Sequence, residues 1–174
     1  DLTDEGKRNR LSEALSRFKP EVKILVNASG YGLIGHVGEI PEPGELGMVR
    51  LNCEALCAVT RMVLPYMSFN SRIMQYASSA AFLPQPGFAV YAATKSFVLS
   101  YSRALNEELT SRGISVTAVC PGPVKTEFFS IAEKTGRIPL YKRFVMARPE
   151  KVVRLAIRDC AMGKSVSVYG IAMK

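Results

Sequence analysis

Val22-Lys23-Ile24-Leu25-Val26-Asn27 is a short apolar run rich in branched side chains, ending where turn residues begin, and it reads as a β-strand. Three further runs have the same character: Arg72-Ile73-Met74-Gln75-Tyr76-Ala77, Ile114-Ser115-Val116-Thr117-Ala118-Val119 and Ser165-Val166-Ser167-Val168-Tyr169. Helical periodicity fills the intervals, over residues 4–17, 45–67, 90–112 and 148–162, the last opening at Pro149-Glu150, a favourable first-turn pair. Strands that alternate with helices this way build βαβ units, and such units give a parallel sheet covered on both faces. The predicted fold is therefore α/β, a doubly wound parallel sheet, in one domain over residues 1–174. No internal repeat, low-complexity tract or linker divides it.

The chain has no initiator Met and enters a helix almost at once. A complete dinucleotide-binding sheet has two βαβαβ halves, the first carrying a glycine-rich phosphate turn. The sequence predicts a chain truncated at its N-terminus by two βαβ units, roughly 60 residues. On that reading Val22–Asn27 is a central strand without one of its neighbours.

Composition excludes several function classes. With 48% apolar and 22% charged residues, the chain is an ordinary globular protein. It has no apolar run long enough to span a membrane and no signal-peptide pattern at Asp1-Leu2-Thr3-Asp4-Glu5. The formal charge is +8, but the 23 Lys and Arg are scattered, which argues against a nucleic-acid surface and leaves a positive field suited to phosphorylated small molecules. Cys53, Cys57, Cys120 and Cys160 form no metal-ligand pattern, so no metal is expected, and reduced thiols point to the cytoplasm. His36 is the one histidine and has no orienting acid at a recognisable position, against a Ser-His hydrolase.

Gly30-Tyr31-Gly32-Leu33-Ile34-Gly35 matches G-x-G-x-x-G after a strand. That fingerprint also needs a helix to start within it, and Gly38, Pro41 and Pro43 argue against one. The stretch is expected to be a loop at the carboxyl end of a strand, where α/β sheets bind ligands. Tyr91-Ala92-Ala93-Thr94-Lys95 carries more chemistry. At i, i+4 on a helix, the phenol and ammonium share one face. A free phenol titrates near 10, too high for proton exchange at neutral pH, and a nearby cation lowers that value. The pair suits general acid–base chemistry, although composition alone could also supply one such pair on an exposed helix.

Taken with its neighbours, the pair resembles the active site of the short-chain dehydrogenase/reductase family, and the resemblance runs along nearly the whole chain. Ser78 lies thirteen residues before Tyr91, the family's spacing, with Ser79 adjacent as the alternative. Asn52 matches a helical Asn, Asn27-Ala28-Ser29-Gly30 matches Asn-Asn-Ala-Gly, and Asp1-Leu2 matches a pair flanking adenine. Cys120-Pro121-Gly122-Pro123-Val124-Lys125-Thr126 matches the turn after the sixth strand. Two positions depart: Ala28 replaces the second Asn, and Phe82 stands where a Gly is usual.

The resemblance implies a Rossmann-type oxidoreductase moving hydride between NAD or NADP and a carbonyl or secondary alcohol, and the basic balance favours NADP. Tyr91 would exchange the proton and Ser78 would polarise the substrate oxygen. Lys95 would grip the ribose and lower the phenol pKa, and Asn52 would hold a relay water or, alternatively, bridge to main chain. Asp1, Leu2, Asn27, Ala28, Ser29, Gly30, Pro121, Gly122, Val124 and Thr126, with Tyr91 and Lys95, would contact the cofactor. A substrate lid is expected over about 123–147, where Phe128, Phe129, Tyr141 and Phe144 either cover an apolar pocket or pack into the core. A homo-oligomer is also implied. The alternative is a catalytically inactive fragment that binds cofactor or a partner.

Overall fold

The computed structural model describes residues 1–136 and 146–169. Four strands, β1 (Ile24–Asn27), β2 (Arg72–Tyr76), β3 (Ser115–Pro121) and β4 (Val166–Tyr169), form one sheet in chain order. All three pairings are parallel, with Ile24 beside Arg72, Met74 beside Thr117 and Ala118 beside Val166. The helices are α1 (Glu5–Phe18), α2 (Glu42–Val49), α3 (Leu56–Val63), α4 (Ala89–Leu109), α5 (Phe128–Ala132) and α6 (Pro149–Ala161). Helices cross over between successive strands, as parallel pairing requires.

The strand sequences explain which strands are central. β2 and β3 are buried on both faces through Ile73, Met74, Val116, Ala118 and Val119, so they carry near-continuous apolar runs. On one face α1, α3 and α4 pack Leu15, Val59, Val63, Leu105 and Leu109 against Ile73 and Val116. On the other, α6 sets Ala156 and Cys160 against Met74 and Val119. Asp159 ties α6 to β4: its Oδ1 accepts from Lys164 Nζ at 2.8 Å and its Oδ2 from Ser167 Oγ at 2.8 Å. Among the described residues β1 is an edge, and Ile24 (57% exposed) and Val26 (49%) leave one of its faces bare.

Two features add to the sequence reading. The second long helix starts at Glu42 and is interrupted by a π-helical segment, Arg50–Ala55, which periodicity over 45–67 does not reveal. The expected lid contains α5, a five-residue helix, and its Phe128 packs against Tyr91. Tyr141 and Phe144 lie outside the described residues. The Gly30–Gly35 stretch, by contrast, is the loop the sequence predicts, and no helix begins between β1 and Glu42.

Candidate active site

The carboxyl ends of parallel strands are where such sheets bind ligands, because loops diverge there and leave a crevice. Here the crevice is a cavity of about 1140 Å³. Its walls come from Ala28 and Gly30 after β1, Tyr76 to Ala80 around the end of β2, Pro121 to Phe129 after β3, and Val152 and Val153 of α6. Tyr91 and Lys95, one turn apart on α4, complete the lining.

Tyr91 is 7% exposed. Phe88 stacks on its ring with centroids 4.3 Å apart, and Phe128 leans against it at 5.2 Å. Burial pushes the phenol pKa up to about 12, against the opposing effect of a hydrogen bond with the Ser78 side chain. Ser78 also caps the 3₁₀ turn Ser79–Ala81, its Oγ accepting from Ala80 N at 3.1 Å. The side chain that meets the phenol is thus Ser78, while Ser79 lines the same cavity.

Lys95 is 6% exposed, and its Nζ donates to Tyr76 O at 2.7 Å. Burial pulls its pKa down to about 8, while the neighbouring Cys53 and Cys120 act in the opposite sense. The expectation that Lys95 draws the phenol pKa down is corrected by this geometry. The ammonium lies 5.8 Å from the Tyr91 ring centroid, and desolvation, which penalises both charged forms, sets the direction of both shifts, up for the phenol and down for the ammonium.

Asn52 sits inside the π-helical segment, a kind of insertion often found at functional sites, and is 1% exposed. Its Oδ1 accepts from Tyr31 N at 3.1 Å, and its Nδ2 donates to Tyr31 O at 2.9 Å and to Thr94 Oγ1 at 3.0 Å. Thr94 Oγ1 in turn donates to Tyr91 O at 2.7 Å. Both amide hydrogens are committed, so the side chain braces main chain and joins the glycine loop to α4. The loop comes so close that a Cβ on Gly30 would lie 2.8 Å from Asn52 Oδ1 and 3.4 Å from Lys95 Nζ.

The remaining predicted residues divide. Ala28, Gly30, Pro121, Gly122, Val124 and Thr126 line the cavity. Thr126 Oγ1 accepts from Phe128 N at 3.3 Å at the start of α5, and Val124 forms a parallel bridge with Ala147. Asn27 turns away from the cavity: its Nδ2 donates to Thr60 Oγ1 at 2.9 Å and Gln75 Oε1 at 3.0 Å. Ser29 is exposed and absent from the cavity wall. Asp1 and Leu2 are not brought to it either; the Asp1 carboxylate accepts from Thr3, and Leu2 packs beside the α1–α3 core. Thr60 and Gln75, fully buried, escaped the sequence reading, although a glutamine inside an apolar strand was a visible signal.

The cavity residues fit the nicotinamide end of a dinucleotide. An ammonium has three N–H donors, and Lys95 spends one on Tyr76 O while facing the cavity beside a glycine whose missing side chain keeps the space open.

The model of the short chain dehydrogenase family matches residues 1–135. The chain belongs to that family. It is 37% identical over 131 residues to the very-long-chain 3-oxoacyl-CoA reductase of Rattus norvegicus, an alignment covering 72% of this chain and 42% of that protein. It superposes on a short-chain dehydrogenase from Sphingobium yanoikuyae, solved in complex with NADPH, with a TM-score of 0.84 and 29% identity, over 97% of this chain and 65% of that one. A 3-ketoacyl-(acyl-carrier-protein) reductase from Brucella melitensis, complexed with NADH, gives 0.78 and 25% over 97% of this chain and 74% of that one. This short-chain dehydrogenase chain spans less than half the length of the rat reductase.

Proposed function

We propose that the protein containing this chain transfers hydride between a nicotinamide cofactor and the carbonyl or secondary alcohol of an apolar small molecule. The observation that carries this reading is a buried phenol, Tyr91, meeting Ser78 in the lining of a large strand-end cavity, with Lys95 one turn away. The cofactor, when bound, supplies or accepts the hydride. Lys95 holds its ribose hydroxyls, and the turn from Pro121 to Thr126 holds its carboxamide. The Gly30 and Ala28 main chain leaves it room.

The chain's own residues handle the oxygen and its proton. Ser78 donates a hydrogen bond to the substrate oxygen, and the bond strengthens as negative charge grows there. Tyr91 gives the proton that completes the alcohol, its buried hydroxyl lying beside Ser78 in the same cavity. Asn52 acts through Tyr31 and Thr94 as a positioning residue.

NADP is the proposed cofactor, supported by the +8 charge and by the NADPH complex of the Sphingobium relative. Leu83, Phe129, Ile131 and Val153 give the cavity an apolar wall. With the names of the relatives, that wall makes 3-oxoacyl thioesters the first substrates to try. We further propose a homo-oligomer, supported by the exposed Phe97 stacked on Tyr101 along α4, and a cytoplasmic location, supported by four free thiols. Among the described residues no helix is long and apolar enough to cross a membrane.

The test follows absorbance at 340 nm with the longer protein, NADPH or NADH, and 3-oxoacyl thioesters of increasing chain length. Oxidation of NADPH that speeds up with chain length is the expected result. Binding of either cofactor without turnover of any ketone would favour a cofactor-binding, non-catalytic protein.

A further inference from the structure

The loop Gly30–Gly35 matches a phosphate-binding pattern but forms no helix, and its backbone instead reaches several parts of the site. Tyr31 main chain is held by Asn52 on both its N–H and its carbonyl. Leu33 N donates to Met48 Sδ at 3.3 Å, and Gly35 N donates to Gly87 O at 2.8 Å, just ahead of α4. Ile34 N donates to Ala132 O at 3.3 Å, at the end of α5, and a Cβ on Gly136 would lie 2.7 Å from Ile34 O. The loop is thus pinned at one end to the helix of Asn52 and at the other to the substrate-side segment.

Gly32 is where it presses on the reacting group. A Cβ there would lie 2.6 Å from Tyr91 Cδ2, 2.9 Å from Phe88 Cζ and 2.9 Å from Phe128 Cζ. Carbon atoms in contact sit about 3.5–4.0 Å apart, so even a methyl group must move a ring by about an ångström. The backbone at Gly32 is not in the left-handed region, so the requirement for glycine comes from these three rings.

We propose that Gly32 is a positioning residue for the reaction: its bare Cα sets the place of the Tyr91 ring, and the same loop seats α5 and Phe128 over that ring. Aligning the phenol and closing the substrate wall are then one packing event. The inference rests on the reading of Tyr91 as proton donor.

The experiment uses the longer protein carrying Gly32→Ala, with and without Phe128→Ala, and Tyr91→Phe as reference. A misplacement of about an ångström costs roughly 10²-fold, so kcat for Gly32→Ala is expected to fall by that much while NADPH affinity stays near wild type and the protein, its thermal midpoint lowered by the overpacking, still unfolds cooperatively above the assay temperature. Removing the Phe128 ring gives the added methyl somewhere to go, so the double variant recovers roughly tenfold over Gly32→Ala alone. The ¹³Cζ resonance of Tyr91, assigned by its loss in Tyr91→Phe, shifts in Gly32→Ala and returns in the double variant, a readout independent of turnover. A Gly32→Ala kcat within about threefold of wild type and an unmoved resonance overturn the inference. So does a loss of activity matched by lost cofactor binding and melting, with no recovery from Phe128→Ala. Turnover by Tyr91→Phe would instead sink the proton-donor reading, and the inference with it.

Discussion

Thr60 is buried beneath the end of β1, where its hydroxyl joins α3 to β1 and β2 by hydrogen bonds. Oγ1 donates to Leu56 O at 2.8 Å and accepts from Asn27 Nδ2 at 2.9 Å and Gln75 Nε2 at 3.1 Å. Thr60→Val replaces the hydroxyl with a methyl of nearly the same size, so packing is kept and only the bonds are lost. Leu56 O belongs to a helix and keeps its helical role. Asn27 Nδ2 retains Gln75 Oε1 at 3.0 Å. Gln75, 0% exposed, loses the acceptor for its amide nitrogen. One buried donor left unsatisfied costs about 1–3 kcal/mol, so the expected loss is about 2 kcal/mol. For a chain of this size that lowers the thermal midpoint by about 4–8 °C. Thr60→Ser keeps the hydroxyl and deletes a methyl, a loss of about 0.8 kcal/mol. Urea unfolding of the wild type and the two variants, with unchanged m-values, measures both. Thr60→Val as stable as wild type, or Thr60→Ser the worse of the two, would refute the role assigned to this network.

Other variants test charge and the serine assignment. Burial raises the Asp159 pKa, but the bonds from Lys164 and Ser167 and the charges of Lys164 and Arg158 overcome it and hold the carboxyl below its ordinary 3.8. Its contribution is therefore present above that value and is lost as pH falls below it. The stability gap between wild type and Asp159→Asn, followed by urea unfolding, should be full at neutral pH and shrink in acid. Lys95 runs the other way: burial depresses its pKa from 10.5 to about 8, so the charged form costs stability at neutral pH. Without cofactor, Lys95→Met should be the more stable protein at pH 7 and inactive. Its advantage should narrow as pH rises through about 8 to 10.5, because the native lysine sheds its proton first; a constant gap would count against the burial argument. Ser78→Ala should lower kcat/KM by roughly 10²-fold, the worth of one oxyanion donor, and Ser79→Ala by much less. The reverse order would move the assignment one residue along.

Much of this architecture is readable from local pattern. The four apolar runs become the four strands because a parallel sheet buried on both faces needs little else than continuous apolar sequence. Tyr91 and Lys95 share a face because helical periodicity fixes it, and both end up buried in the strand-end cavity. What sequence did not convey depends on distant residues. The π-helical segment at Arg50–Ala55 leaves no periodic trace over so short a stretch. The side chain of Asn52 is spent on Tyr31 and Thr94, partners 21 and 42 residues away, and Asn27 on Thr60 and Gln75. The direction of the Tyr91 shift was misread because spacing shows a neighbouring cation but not how dry the site is. Phe88, Phe128 and Gly32, which enclose the ring, come from three separate places, the cap of α4, the first residue of α5 and the glycine loop.

The central claim is that Tyr91 delivers the proton. In the longer protein, Tyr91→Phe removes one oxygen and leaves the ring between Phe88 and Phe128, so the fold and the cofactor site stay in place. Titration calorimetry should give an NADPH dissociation constant close to wild type. Single-turnover oxidation of bound NADPH by a 3-oxoacyl thioester should slow by at least roughly 10²-fold, the lower range for a general acid. Unchanged cofactor binding together with hydride transfer within about tenfold of wild type would contradict the account.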